Sequence, residues 1–325
     1  MNLGVLSNKN LNPWINWSTL GPPLLEPLAR YRNAVLIAPP PLKKQNLGLY
    51  KEVLGQIWDS DTLFWMQISA KPENPLFLPS LLRGPVRRSA YVIDAWKQDL
   101  KKIGTFATLQ RLDPLFVAFR EAYLELNERF PKGKFEWLPF GVDTAVFDSA
   151  VPEGEERPIF AYWMGRRYEP LHNALVEYCS KRGLNYHWPQ KGEFASPAEL
   201  GKLVGSSQYF LVGPPDLGFP ERTGGFSPFV MRYLEGLSAG ARLLGVLPGS
   251  HEYERLLPLT AMLIVKKDGS DLAAKLDEDR HNPLARSSVA SARILVREEH
   301  SWAKRAAQIY DRLAYGIPTG YGKGK

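Results

Sequence analysis

Along the chain, short apolar runs alternate with stretches whose apolar residues return at helical spacing. Parallel strands covered by helices on both faces produce this pattern. In the first half, the runs at 3–6, 34–38, 63–68, 90–93 and 115–118 predict strands. Helices are predicted at 23–32, which opens on a proline and carries Leu24, Leu25 and Leu28, and at 121–130, with Tyr123, Leu124, Leu126 and Phe130. The alternation restarts near residue 159, with strands predicted at 159–164, 209–212, 243–246 and 262–265 and helices at 171–182 and 229–239. A last helix is predicted at 302–315, where Trp302, Ala306, Ile309, Tyr310 and Leu313 recur at helical spacing.

Between the halves, the turn-rich stretch Pro139-Phe140-Gly141-Val142-Asp143 runs into a polar segment, 148–158, that reads as a linker. With 325 residues, enough for two cores, this predicts an α/β protein of two domains, each a parallel sheet covered by helices. The expected division is 1–148, 149–300, and a C-terminal helix with a basic tail, 301–325.

Composition narrows the setting. The single cysteine, Cys179, excludes an internal disulfide or a cysteine-rich metal site, and its apolar helical surroundings predict plain burial. No stretch approaches 18 uninterrupted apolar residues and the first residues lack a signal-peptide pattern, so a cytoplasmic protein is expected. The net charge of +7 suits phosphates or an anionic membrane face, which leaves room for peripheral contact at the inner membrane; nucleic acid is not the expected partner. The groups Arg83, Arg87, Arg88, Lys97, Lys101 and Lys102 read as solvated surface. The five histidines are scattered and no Asp-x-Asp stands near a strand end, so neither a metal nor another cofactor is expected.

The segment Thr223 to Gly240 carries the most chemistry. Gly224 and Gly225 let the backbone turn tightly and approach a ligand, Phe226 follows, Ser227 reads as an N-cap and Pro228 as the first helical residue. A helix beginning there aims free N–H groups at whatever precedes it, which is a phosphate cradle. On this reading Glu235 lies about 12 Å further along the axis, placed to accept ribose hydroxyls; the alternative is an ordinary α/β helix with a surface glutamate. Gly165, Arg166 and Arg167 follow a predicted strand, at the edge where α/β sheets bind ligands. Gly249 and Glu252 lie in a loop after another strand and either line the site or form a helix cap with Ser250. In the first half Asp94 ends a strand, where it would act as a base, orient an acceptor or cap the next helix; Arg120 and Glu121 are similar borderline candidates.

The 223–240 segment resembles the donor-binding helix of GT-B glycosyltransferases, especially glycosyltransferase family 4, whose Glu-x7-Glu pattern precedes a small-residue ending. Glu235 matches the second glutamate and Ser238-Ala239-Gly240 the ending, while Ser227 replaces the first glutamate, the usual contact to the donor sugar. Three more blocks follow in the family's order: Trp137 to Asp143 with Phe147 resembles the Pro-x-Gly-Val-Asp segment, Met164 to Arg167 the Gly-Arg strand end, and Ser301-Trp302 the segment crossing back to the first domain. The lysine that usually follows the Gly-Arg pair is absent; His172 stands near its place, a partly exposed helix histidine on the simpler reading.

The resemblance implies a GT-B fold, two Rossmann-like domains facing each other across a cleft with the 301–325 segment returning to the first, and a transferase moving a sugar from a nucleotide-sugar to the hydroxyl of a glycan, glycolipid or small-molecule acceptor, with retention and without metal. Arg166 and Arg167 would stabilise the departing diphosphate, and Asp94 would serve the acceptor. The alternatives are a non-catalytic nucleotide-sugar-binding subunit, suggested by Ser227, and a GT-B epimerase, which would need a carboxylate or histidine pair that the first half does not display.

Overall fold

The computed structural model describes residues 1–7, 21–39, 47–69, 86–148, 157–165, 167–189 and 196–321. The expected linker and Arg166 fall largely or wholly outside them. Two compact units emerge, Met1–Gly141 with Trp302–Lys325, and Val142–Ser301.

The first unit holds β1 (Leu3–Leu6), β2 (Ala34–Ile37), β3 (Thr62–Gln67), β4 (Arg87–Val92), β5 (Leu112–Val117) and β6 (Phe135–Trp137) in one parallel sheet, ordered β2-β1-β3-β4-β5-β6. β1 and β3 are buried at every position, as strands covered on both faces must be. Register pairs Leu3 with Thr62 and Leu6 with Trp65.

The helix Trp302–Tyr315 lies in this unit and buries Trp302, Ala306, Ile309 and Leu313 against the Pro22–Ala29 helix and its surroundings. Gly141 makes room for it: a β-carbon there would sit 2.8 Å from the Trp302 ring. Arg305, fully buried, donates to the carbonyls of Pro139 (2.7 Å) and Phe140 (3.1 Å) and to the Tyr321 hydroxyl (2.7 Å). Arg87 and Arg88, expected to be solvated, are half-buried and bond to carbonyls: Arg87 to Asp113 and Leu313, Arg88 to Gln110. Carbonyls at the starts and ends of elements need donors, and these arginines supply them.

The second unit holds β7 (Ile159–Trp163), β8 (Tyr186–His187), β9 (Ser207–Val212), β10 (Arg242–Gly245) and β11 (Met262–Ile264), all parallel, ordered β11-β10-β9-β7-β8. Its core packs Phe160, Leu171, Leu175, Tyr178, Cys179, Tyr209 and Leu211 between the sheet and the Glu169–Arg182 helix. Cys179 is buried as expected, and burial pushes its thiol up to about 11. Among the described residues no helix is long and apolar enough to cross a membrane.

Candidate active site

In an open parallel sheet, ligands settle at the carboxyl ends of the strands where the chain's progression reverses, because the loops there diverge and leave a crevice. In the second sheet this point lies between β7 and β9: β8 was added on one side of β7, β9 on the other. The loops that leave β7 and β9 contain Gly165 and Arg167, and Gly224 to Ser227.

Gly224 and Gly225 have φ of 62° and 95° and Gly165 has 94°, a region that disfavours any side chain with a β-carbon. All three are exposed, and a β-carbon on Gly165 or Gly225 would meet nothing within 4 Å, so what requires glycine is the backbone conformation, with open space left beside it. Phe226 is buried and anchors the turn.

The helix that follows starts later than its sequence suggests. It runs Met231–Ser238 with Val230 at the N-cap, not Ser227 with Pro228 as first residue. The reason is tertiary. The Ser227 hydroxyl accepts the amide of Gly249 (2.8 Å), and the Ser227 carbonyl accepts the amide of Ser250 (3.1 Å). Glu252, fully buried, takes the Phe229 amide (2.6 Å) and the Ser250 hydroxyl (2.7 Å). Thus Gly249 and Glu252 hold the 227–229 loop extended. Glu252 braces the site from below, and Ser250 is not the N-cap of the Glu252–Leu256 helix; His251, at φ 57°, is. The amides of Val230, Met231 and Arg232, ahead of the first full helical turn, point toward the loop end with the positive end of the helix dipole.

Glu235 is consequently one turn into the helix, about 6 Å from its start instead of about 12 Å. It is buried, not a surface glutamate, and its Oε2 accepts from Arg232 at 2.5 Å. Its other oxygen makes no hydrogen bond among the described residues. Gly236 brings the helix onto the sheet: a β-carbon there would lie 2.6 Å from Phe210 and 2.5 Å from Leu243. Tyr162, at the end of β7, is near enough to Glu235 and Arg232 to feel both; burial raises its phenol, Arg232 opposes this and Glu235 adds to it. Glu235 is thus within electrostatic reach of Tyr162, near the carboxyl end of β7.

Arg167 is exposed and only lightly held, 3.4 Å from His172 Nε2 and 3.6 Å from the Glu169 carboxylate. His172 is buried, against the expectation of partial exposure, and its Nδ1 lies 2.9 Å from the Tyr186 hydroxyl. Two further residues lie on the segments that follow β9. Arg232 is legible in the sequence as an i, i+3 partner of Glu235. Asp216 has its Oδ1 buried with no hydrogen-bond partner among the described residues, and nothing in its local sequence marks it.

In the first sheet the reversal lies between β1 and β3, and the loops beyond Ser7 and Ser69 fall outside the described residues. Asp94, half-buried, follows β4, one strand past that point, with its amide bonded to the Ile68 carbonyl at 2.6 Å. It caps neither following helix, whose N-caps are Trp96 and Asp99. Arg120 and Glu121 open the helix after β5. Among the described residues no group of three or more His, Cys, Asp or Glu side chains is placed to hold a metal ion.

Residues 166–311, which take in much of the second unit and most of the closing helix, match a family model described as glycosyl transferase-like. No curated protein matches the chain in sequence. In structure it is similar to Anabaena HepE in complex with UDP and glucose, at 12% identity and a TM-score of 0.59, covering 97% of this chain and 99% of that one. HepE in complex with UDP-glucose aligns at 11% identity and a TM-score of 0.58, over 96% and 99%. Sucrose-phosphate synthase from Thermosynechococcus elongatus aligns at 10% identity and a TM-score of 0.60, over 97% and 99%. At such identities the likeness speaks to the fold, and it runs the length of both chains. The chain has the GT-B fold that these structures share, and its residues 166–311 match a glycosyl transferase-like family model.

Proposed function

We propose that the chain transfers a sugar from a nucleotide-sugar to a hydroxyl acceptor, with retention and without a metal ion. One observation carries this reading: the segments that leave β7 and β9, the two strands that flank the switch point of the second sheet, supply an exposed arginine, an open glycine turn and a helix whose first turns hold a half-engaged buried glutamate. The helix amides and the Gly224–Gly225 turn suit a diphosphate, and the free oxygen of Glu235 suits a ribose hydroxyl. Arg167, with Arg166 beside it in sequence, would neutralise charge as the nucleoside diphosphate departs. Asp94 is the candidate for orienting the acceptor on the first unit. The relatives that bind UDP or UDP-glucose make UDP-glucose the first donor to try.

A second reading has one observation in its favour. The Ser227 hydroxyl, at the place where the resemblance puts a sugar-binding glutamate, is engaged by Gly249. That fits a subunit that binds nucleotide-sugars without transferring them. A nucleotide-release assay over UDP-, GDP- and ADP-sugars, paired with calorimetric binding of the free nucleotides, separates the two. Release with turnover supports the transferase, binding without release supports the subunit, and the absence of both removes the donor site altogether.

A further inference from the structure

We propose that His172 is the positioning residue for Arg167: as a neutral acceptor it holds the guanidinium at the switch-point edge, and protonation releases it. The inference rests on the reading of Arg167 as a diphosphate ligand.

The tautomer follows from the partners. Arginine has donors only, so the contact from Arg167 Nη1 to His172 Nε2 requires a lone pair on Nε2. The ring proton is then on Nδ1, where it donates to the Tyr186 oxygen 2.9 Å away. Tyr186 takes that role through a lone pair on its hydroxyl oxygen, while burial raises its phenol and keeps its own proton in place. The ring plane is fixed by aromatic packing, with Trp188 edge-on at 4.9 Å and Tyr186 tilted at 5.5 Å.

His172 therefore lies at the inner end of a short chain from Tyr186 to the exposed Arg167. Buried at the end of the first turn of the Glu169–Arg182 helix, it has little contact with solvent. Among the described residues Arg167 is otherwise held only by a 3.6 Å contact to Glu169, an exposed pair that contributes little to its placement. The groups facing the imidazole are Arg167, Glu169 and Tyr186, with Cys179 close behind Tyr186. Burial and then Arg167 lower its basicity and Glu169 opposes them, so it is neutral at pH 7 and the latch is closed. On acidification Nε2 gains a proton, its lone pair is lost, and two cations face each other.

The test uses the full chain, UDP-glucose turnover from about pH 4 to 8, a window that reaches below the ordinary imidazole range because burial lowers His172, and NMR of the His172 ring nitrogens. His172→Gln presents an oxygen to Arg167 and an amide proton to Tyr186 without titrating. Its kcat is expected to stay within about twofold of the wild-type plateau, with the acid limb gone. His172→Phe keeps the aromatic packing but offers no acceptor, and is expected to run at a pH-independent kcat about tenfold below the wild-type plateau and to meet the wild type only where its acid limb has fallen, with little change in KM, one charged hydrogen bond's worth. Nitrogen shifts should show the Nδ1–H tautomer, and Arg167→Ala should raise the midpoint of His172.

An unchanged acid limb in the Gln variant, or wild-type kcat in the Phe variant, overturns the proposal. The NMR arm needs no turnover, so a chain that does not use UDP-glucose fails the transferase reading alone. A His172 midpoint unmoved by Arg167→Ala fails the latch whatever the chain does with sugars.

Discussion

The two ends of the second sheet carry similar residues and use them in opposite ways. At the amino end, Arg242 forms a two-pronged pair with Asp279 at 2.6 Å for each bond and donates a third to the Thr260 carbonyl, while Tyr209 donates to the same carboxylate at 3.0 Å. Arg157 is spent on the carbonyls of Ser207 and Ala239, and its burial lowers it to about 10. At the carboxyl end, Arg167 is lightly held, Glu235 keeps one oxygen open, and the glycine turns face empty space. Charge content does not distinguish the two ends; satisfaction does. A fully bonded cation is a strut, whereas one with unused donors at a topological switch is available to a ligand.

The sharpest way to break this contrast is to damage the amino end and look for an effect at the other. Asp279→Ala leaves the nearly buried Arg242 and the Tyr209 hydroxyl without their acceptor, and is expected to cost about 3–5 kcal/mol of stability by denaturant titration. Turnover per folded molecule should be unchanged, and a loss there would join what the contrast separates. Arg167→Ala should do the reverse: kcat falls on the order of 10²-fold, while stability moves by less than about 0.5 kcal/mol. A stable variant with wild-type rates would take Arg167 out of the chemistry.

Glu235→Ala should weaken UDP binding roughly 10- to 100-fold in calorimetric titration, and Glu235→Gln less, since a hydrogen bond to a charged group contributes about 1.5–3 kcal/mol. The 2′-deoxy nucleotide should suffer less from the alanine change than UDP does, because one partner is already missing. Equal losses for both nucleotides would mean that Glu235 acts only through Arg232. The smallest effect is expected from chelation: with the diphosphate held by guanidinium and helix amides, excess EDTA should leave the rate within about twofold. A strict Mg²⁺ requirement would sink that arrangement.

Strand positions and the closing helix were legible because burial on both faces writes itself into consecutive residues; the helix predicted at 302–315 is observed as Trp302–Tyr315. β6 and β8 were missed, being three and two residues long and too short to show a period. The helix after the glycine turn begins later than its local sequence indicates. Ser227-Pro228 is a sound local N-cap signal, yet both its hydroxyl and the next amide are claimed by the loop 22 residues later, through Gly249 and Glu252. His172 was read as partly exposed because its helix is polar around it; the aromatic pair Tyr186 and Trp188 that covers it comes from another strand.

By itself the sequence determined the class of fold, the segments that carry most of its strands and the place of the glycine turn, since these follow from local periodicity and glycine freedom. Only the tertiary structure decided which polar groups are spent. It consumed Glu252, Arg157 and Arg305 as struts, left Glu235 half open and Arg167 within reach of a buried histidine. Whether a side chain's hydrogen bonds are already made depends on partners far along the chain, and no local pattern encodes that.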